Sequence, residues 1–295
     1  MGGRALTEFA VEKAEVRRVV EDYLDRAFNR YQVHEVRNAA RYATLGGGHR
    51  WRAIVAVAAG RIFRPDALDI VLPGACAVEL VHAASLILDD LPSMDDAELR
   101  RGKRCTHLVF PRWAVDMAPV FLVTMAYAIS LDNQRVSEER RVNAALVLSS
   151  AGLEMIDGQS KDLLQEHANA KEEQNLLRCY ELKSGALYAA AARAGAILCG
   201  ATEQQAQSLQ NAGMNLGLSY QFHDDVADVV AGVSEVGKNA GMDAGKWTAV
   251  DWLGIEGARQ KGRQFQSIGL AAVQDFGPEA NWLRRLICEA SYAAS

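Results

Sequence analysis

The chain has few of the residues that mark secreted, zinc-binding or nucleic-acid-binding proteins. Its five cysteines form no CxxC pair, and their odd number is typical of a reduced intracellular protein rather than of a disulfide framework. The net charge of −5 provides no general attraction to nucleic acid or to an anionic membrane. We therefore expect no nucleic-acid partner and a cytoplasmic location.

Long uninterrupted apolar runs are also missing. No signal-peptide segment opens the chain, and the stretch from Val115 to Leu131 is interrupted by Asp116 and Pro119, so no membrane span is predicted. Only 6 residues are proline and 49% are hydrophobic, which is enough for one large core. We predict a single domain over residues 1–295, with residues 1–8 flexible.

Apolar residues recur at helical spacing through most of the sequence, beginning with Val16, Val20 and Leu24. Because no segment alternates like a sheet strand, the sequence predicts an all-α bundle. The stretch from Pro92 to Arg104 is predicted to be an irregular loop. Helices are predicted over about 34–45, from His49, from Pro73-Gly74 to Asp90, and over 113–131, 137–165, 173–199, 203–230, 246–273 and 278–292.

Two aspartate clusters are the most informative feature. Asp89-Asp90 with Asp95-Asp96 follows the apolar run 86–88, and Asp224-Asp225 with Asp228 follows Tyr220 and Phe222. Carboxylates one helical turn apart repel one another by roughly 4 kcal/mol at an effective dielectric near 20, so a cation is expected. Hard oxygen ligands without cysteine select magnesium or calcium, and magnesium is commonly shared with substrate phosphates. Together the clusters predict a diphosphate held through magnesium.

Three neighbouring patterns allow more than one interpretation. The basic run Arg100–Arg104 suits phosphate binding but is also common on solvated surfaces. The ExxH spacing of Glu79 and His82 occurs in di-iron bundles, which need a second such pair that we do not find. His223-Asp224 resembles the His-Asp pair of metal phosphohydrolases, an alternative that gives the first cluster no role.

In order along the chain, several motifs together resemble the trans-isoprenyl diphosphate synthases, the short-chain polyprenyl synthase family. The resemblance runs from about Leu45 to Thr248 and is strongest to the geranylgeranyl diphosphate synthases. The motifs are Gly47-Gly48-His49-Arg50-Trp51-Arg52, Asp89-Asp90-Leu91-Pro92-Ser93-Met94-Asp95, Arg100-Arg101-Gly102, Gly158-Gln159 with Asp162, Lys183-Ser184-Gly185-Ala186-Leu187, and Gln221-Phe222 before Asp224-Asp225-Val226-Ala227-Asp228.

The resemblance implies a homodimer of isoprenoid-synthase helix bundles, each around a central elongation cavity. It implies condensation of isopentenyl diphosphate with an allylic diphosphate through an allylic carbocation. Three magnesium ions in each active site would be held by Asp89, Asp90, Asp95, Asp224, Asp225 and Asp228. The allylic diphosphate would contact Arg100, Lys183, Lys238 and Lys246, and isopentenyl diphosphate would contact His49, Arg52, His82 and Arg101. Ser184 and Gln221 would face the reacting carbons.

The sequence departs from the family pattern at His49, which stands where the family carries lysine. A histidine is mostly neutral at pH 7, so one phosphate contact should be weaker or pH dependent. Ala53 and Arg104 stand where prolines are usual.

Small residues at Ala84 and Ser85, one helical turn or so before Asp89, should line the floor of the elongation cavity. We therefore predict geranylgeranyl diphosphate as the product, with farnesyl or geranylfarnesyl diphosphate as alternatives. A class I terpene cyclase shares the first aspartate motif, but its second motif usually mixes Asn, Ser and Glu. A noncatalytic subunit of a heteromeric prenyl synthase is the remaining alternative.

Overall fold

The computed structural model describes residues 2–32, 34–165, 173–234 and 247–290. Within these ranges the chain is built almost entirely from helices, which confirms the all-α prediction. The helices are α1 (Gly2–Phe28), α2 (Glu35–Leu45), α3 (Trp51–Arg61), α4 (Ala67–Asp89), α5 (Arg112–Leu131), α6 (Glu138–Gln165), α7 (Glu173–Tyr180), α8 (Ala186–Leu198), α9 (Glu203–Ser234), α10 (Ala249–Ala271) and α11 (Asn281–Glu289).

The chain divides into two compact units. The N-terminal unit comprises Met1–Leu146 with Ala194–Ala201, and the C-terminal unit comprises Val147–Arg193 with Thr202–Ser295. The prediction of a single domain over residues 1–295, and that of flexibility in residues 1–8, stay predictions.

In the N-terminal unit, α4 packs against α3 and α5. Most of α4 is buried, and small residues such as Ala75, Ala77 and Ala84 let its neighbours approach closely. The prediction that Pro73-Gly74 begins this helix is wrong, since Pro73 lies inside α4, which starts at Ala67. Proline cannot donate to the carbonyl of residue 69, but packing around the apolar helix outweighs the loss of one hydrogen bond.

The predicted irregular loop before Arg104 contains a short antiparallel hairpin, so that prediction is wrong in part. Strand β1 (Leu99–Arg100) pairs with β2 (Lys103–Arg104). Arg101 and Gly102 connect the strands with φ angles of 54° and 73°. Two successive left-handed residues favour a tight hairpin, and glycine supplies one of them without strain.

In the C-terminal unit, α9 packs along α10, and α7 is joined to α8 by a π-helical turn over Glu181–Gly185. The prediction of one continuous helix over 173–199 therefore missed the turn. Aromatic residues dominate the core of this unit, where Phe222 of α9 packs against Tyr180 and Phe265. Gly254 interrupts α10 with a φ of 68°, and a short 3₁₀ turn (Pro278–Ala280) precedes α11, two details that periodicity does not predict.

Two helices, α4 and α5, are long and apolar enough to cross a membrane by length and composition alone. About 72% of the apolar window of α4 and 50% of that of α5 is buried within the protein. Core helices of water-soluble proteins have the same properties, so the absence of a membrane span stays a prediction.

Candidate active site

The first aspartate cluster lies where α4 ends. Asp89 is the last residue of the helix, and the chain then folds back so that the backbone N–H of Asp95 donates to the carbonyl of Asp89 at 2.9 Å. Asp89 and Asp95 are partly exposed, whereas Asp90 is buried. The turn therefore brings the backbones of Asp89 and Asp95 together and leaves both carboxylates accessible to a ligand.

Asp90 is bound to Arg100 of the hairpin. The Nε and Nη2 atoms of Arg100 donate to Oδ1 of Asp90 at 2.8 and 2.5 Å. Burial, with the Asp90 carboxylate nearby, raises the pKa of the adjacent Cys105 to about 12, so this cysteine is a neutral thiol. The proposed roles of Asp90 as a magnesium ligand and of Arg100 as a phosphate contact stay predictions.

The glycine loop before α3 is shaped around Arg101. Gly47 and Gly48 have φ angles of 123° and 110°, and Arg101 donates to the carbonyl of Gly47 at 2.7 Å. A Cβ atom at Gly48 would lie 2.7 Å from the guanidinium carbon of Arg101. Glycine is required here because both the backbone angle and the close approach exclude a side chain. The loop leaves His49 exposed.

His82 lies among cationic groups in the N-terminal unit. Burial lowers its pKa well below the ordinary histidine value, and the charges of Arg52, Arg101, Arg100 and Arg50 lower it further. The imidazole is therefore neutral, and within the described part of the chain its buried Nδ1 has no hydrogen-bond partner. Arg100 is bound to Asp90 and Arg50 to Glu79, so Arg52, Arg101 and the unsatisfied Nδ1 are the groups suited to binding a multiply charged anion such as a diphosphate.

The predicted floor residues lie on the same helix. Ala84 is buried, and Ser85 donates to the carbonyl of His82 at 2.9 Å. The lining of the elongation cavity by these residues stays a prediction.

The second aspartate cluster lies on α9 in the C-terminal unit. Asp224 is partly exposed and Asp228 is exposed, whereas Asp225 is 4% exposed. Asp225 accepts hydrogen bonds from the Tyr180 hydroxyl at 2.5 Å, from the Gln221 amide at 2.9 Å and from the backbone N–H of Ala249 at 3.0 Å. Tyr180 is not predicted as a site residue, because its contact with Asp225 joins positions that are 45 residues apart in the chain.

The π turn places two further predicted residues next to the cluster. Lys183 donates to Asp162 at 2.6 Å, and Ser184 donates to the Gln221 side-chain oxygen at 2.6 Å. Gly158 of α6 permits this packing, since a Cβ there would lie 2.6 Å from the backbone nitrogen of Lys183. π-Helical turns inside longer helices occur frequently at functional sites. The predicted phosphate contacts Lys238 and Lys246 lie outside the described residues.

The carboxylates of both units are suited to magnesium. Among the described residues no group of three or more His, Cys, Asp or Glu side chains is arranged to hold a metal by itself. Magnesium generally takes one or two carboxylates and completes its shell with water and substrate phosphates, so a closed protein cage is not required. Each unit offers partly exposed oxygen donors of this kind, Asp89 and Asp95 in the N-terminal unit and Asp224 in the C-terminal unit.

A sequence profile described as polyprenyl synthetase matches residues 33–272. The chain belongs to the polyprenyl synthetase family. Geranylgeranyl pyrophosphate synthase 12, a chloroplastic protein of Arabidopsis thaliana, is 36% identical over 267 residues, covering 88% of this chain and 73% of the relative. The mitochondrial geranylgeranyl pyrophosphate synthase 6 of the same plant is 37% identical over 254 residues, covering 83% and 75%.

Solved structures of polyprenyl synthetases share the fold. An FPP/GFPP synthase from Zymomonas mobilis superposes with a TM-score of 0.82 at 29% identity, covering 95% of this chain and 99% of its own. A geranylgeranyl pyrophosphate synthetase from Pyrococcus horikoshii superposes with a TM-score of 0.89 at 22% identity, covering 97% and 99%. Both predictions are thus confirmed, the family from its motifs and the all-α fold.

Proposed function

We propose that this polyprenyl synthetase is a prenyltransferase that condenses isopentenyl diphosphate with an allylic diphosphate to give geranylgeranyl diphosphate. The observation that carries the proposal is the neutral, half-buried His82, whose unsatisfied Nδ1 lies within the electrostatic influence of Arg52 and Arg101, residues of the kind that bind a diphosphate. The names of the Arabidopsis relatives support the same product.

In this reaction, the bond between carbon 1 of the allylic substrate and its diphosphate breaks, and the diphosphate leaves with the electron pair. The double bond of isopentenyl diphosphate attacks the resulting cation, and a proton then leaves to the released diphosphate. Arg52, Arg101 and the neutral His82 would hold isopentenyl diphosphate, with His82 donating a hydrogen bond from the ring nitrogen that bears its proton. Lys183 would contact the departing diphosphate, and Ser184 and Gln221 would lie beside the reacting carbons.

Magnesium, when bound, would neutralise the negative charge that develops on the departing diphosphate. The proposed ligands are Asp89 and Asp95 in the N-terminal unit and Asp224 and Asp228 in the C-terminal unit. The buried Asp90 would act mainly through Arg100, which it holds. Apolar neighbours such as Ile87 and Phe222 would exclude the water that otherwise converts the cation to an alcohol.

Turnover of defined substrates tests the proposal. The protein is incubated with magnesium, labelled isopentenyl diphosphate and each allylic diphosphate in turn, and the products are separated by chromatography. Elongation to the geranylgeranyl product is expected, and Asp89→Ala and Asp224→Ala should abolish it while circular dichroism stays unchanged. Hydrocarbon products would indicate a cyclase, free phosphate a hydrolase, and no turnover a noncatalytic subunit.

We also propose that the protein is a homodimer. Trp113, Met117 and Val120 form an apolar stripe on α5, with exposed fractions of 56%, 56% and 68%. Leu146, Leu153 and Leu164 are exposed at helical spacing on α6. Exposed apolar stripes of this size mark protein contacts more often than solvated surface. A second copy of the chain is the proposed partner, because the motif resemblance to the polyprenyl synthases implies a homodimer.

A cytoplasmic location completes the proposal. All five cysteines are free thiols, four of them buried. Unpaired cysteines are expected in a reducing compartment.

A further inference from the structure

Within the described residues, Asp225 accepts hydrogen bonds from three different parts of the C-terminal unit. Tyr180 ends α7, Gln221 lies one turn earlier on α9, and Ala249 is the first residue of α10. A carboxylate that accepts from three elements connects them, and at 4% exposure it does so away from solvent. Asp224 and Asp228, its neighbours in the same motif, are more exposed.

We propose that Asp225 is a positioning residue, which fixes the side-chain amide of Gln221 and the start of α10, rather than a magnesium ligand. The expected effect of Asp225 on catalysis rests on the proposed function, because it arises from the positions of Gln221 and Ser184 relative to the substrate. It departs from the sequence-based expectation that all three aspartates of this motif bind metal.

The bonding capacity of the Asp225 carboxylate favours this role. Its Oδ2 accepts from both the Tyr180 hydroxyl and the Ala249 N–H, which is the usual capacity of one carboxylate oxygen. The Tyr180 hydroxyl and the Ala249 N–H are both donors inside the protein, so Oδ2 is fully occupied by them. A metal ion at Oδ2 would have to displace one of these buried donors. Because the Ala249 N–H also donates to the Tyr180 oxygen at 3.1 Å, the Tyr180 hydroxyl is the group that would lose its acceptor.

Asp225 also determines which way the Gln221 amide points. An ionised carboxylate only accepts, so Oδ1 of Asp225 must face the amide nitrogen of Gln221. The amide oxygen then faces Ser184, whose hydroxyl donates to it at 2.6 Å. The hydrogen bonds thus run in one direction, from Ser184 to Gln221 to Asp225, and hold Ser184 on the π turn beside Lys183.

Asparagine at position 225 should reverse this order. In Asp225→Asn the side-chain oxygen would accept from the Ala249 N–H, and the new NH2 group would face Gln221. Because two amide nitrogens cannot pair, the Gln221 amide would rotate so that its oxygen faces position 225. Ser184 would then meet the nitrogen of Gln221 and lose its acceptor. We expect kcat to fall about tenfold to a hundredfold, because the reacting groups are misplaced rather than removed. The KM for isopentenyl diphosphate and the half-saturating magnesium concentration should change by less than about twofold.

Asp224→Asn is the matched control, with the same chemical change one residue away on the more exposed carboxylate. It should raise the half-saturating magnesium concentration by about tenfold or more, as expected for a metal ligand. An equal rise in Asp225→Asn would overturn the proposal. In a double-mutant cycle, Ser184→Ala should lower kcat in the parent protein and lower it little further in the Asp225→Asn background. Fully additive effects of the two substitutions on kcat would contradict the proposal that Asp225 positions Ser184 through Gln221.

Hydrogen exchange of the metal-free protein provides a readout that does not depend on activity. Ala249 begins α10, so its N–H has no acceptor within the helix, and its protection reports on Asp225 and on Tyr180, the two side chains that accept from it. Exchange at Ala249 should be several-fold faster in Asp225→Asn, because a neutral amide oxygen is a weaker acceptor than a carboxylate, and unchanged in Asp224→Asn. Unchanged exchange in Asp225→Asn would contradict the proposal that Asp225 fixes the start of α10. This result does not depend on whether the parent protein turns over the proposed substrates.

Tyr180→Phe provides a second variant in case Asp225→Asn does not fold. It removes the hydroxyl that donates to Asp225 and accepts from the Ala249 N–H, so Ala249 exchange should rise several-fold while the magnesium requirement stays constant. A changed magnesium requirement in Tyr180→Phe, with Ala249 exchange unaltered, would indicate that Tyr180 orients a metal ligand and would refute the proposal.

Discussion

Arg50 and Glu79 form an ion pair that is buried on both sides in the N-terminal unit. Arg50 Nη1 lies 3.7 Å from Glu79 Oε2, and the two side chains are 3% and 4% exposed. Glu79 Oε1 also accepts from the backbone N–H of Ala53 at 3.0 Å, and Arg50 donates to the carbonyl of Thr44 at 2.8 Å. The pair therefore joins α4 to both ends of the turn that carries His49.

Glu79→Gln tests how much this pair stabilises the fold. Glutamine keeps an acceptor for Ala53 but leaves the buried Arg50 with less compensating charge, which costs about 3 kcal/mol or more in comparable buried pairs. Urea denaturation should show that loss in the free energy of unfolding. Asp22→Asn is the control, since it breaks the exposed pair with Arg18 and should change stability little. A similar small effect of both substitutions would contradict a structural role for Glu79.

The pairing of Glu79 with Arg50 is a contact that cannot be predicted from the sequence. Spacing identified Glu79 and His82 as an ExxH pair but could not reveal Arg50, which is 29 residues away from Glu79. The helices and the clustered aspartates, arginines and Lys183 were predictable because periodicity and short motifs are local properties. Other features depend on tertiary packing, which overrides the conformational preference of the local sequence. They are the position of Pro73 inside α4, the 99–104 hairpin and the hydrogen-bond partners of Asp225.

Gly213 lets α9 approach α8 within the C-terminal unit. A Cβ atom at this position would lie 2.5 Å from the carbonyl oxygen of Tyr188 and 3.0 Å from the Cα of Ala189. Since both are backbone atoms, Gly213→Ala should lower the free energy of unfolding by about 1–3 kcal/mol. Gly152→Ala is the matched control, because nothing lies within 4 Å of its added Cβ. There, alanine should leave stability unchanged or raise it by about 0.5–1 kcal/mol, through its higher helix propensity. Equal thermal shifts in both variants would rule out the predicted backbone clash.

His223 should make stability depend on pH. Its Nδ1 donates to the carbonyl of Ser219 at 2.6 Å, and burial, together with the charges of Arg263 and Arg259, lowers its pKa. Below the unfolded value near 6.5 the unfolded chain binds a proton that the folded chain does not, so stability falls as the pH decreases. Urea denaturation between pH 8 and 5 should show a shallower decrease in His223→Gln than in the parent protein. Because His82 has the same direction of shift, some dependence should remain. Identical pH profiles would exclude the contribution of His223.

The apolar stripe on α5 predicts how the dimer can be broken. Val120 is 68% exposed in the single chain, so Val120→Glu leaves the isolated fold intact but places a charge in the proposed interface. Sedimentation velocity should show a shift from dimer to monomer at micromolar concentration. Gln204→Glu introduces the same charge at an exposed position on α9 and should leave the mass unchanged. A dimer that persists in Val120→Glu would place the interface elsewhere.

Ala84 predicts the length of the product. It is 3% exposed and lies on α4 five residues before Asp89, where we expect it to line the floor of the elongation cavity. Tyrosine adds a ring that the growing chain would meet, so Ala84→Tyr should shift the product from geranylgeranyl towards farnesyl diphosphate, measured by chromatography of the dephosphorylated products. Because the ring also overpacks a buried position, stability should fall by about 1–3 kcal/mol, which a thermal melt quantifies. Ala84→Ser adds little volume and should retain the longer product. A folded Ala84→Tyr protein with an unchanged product profile would show that the growing chain does not pass Ala84.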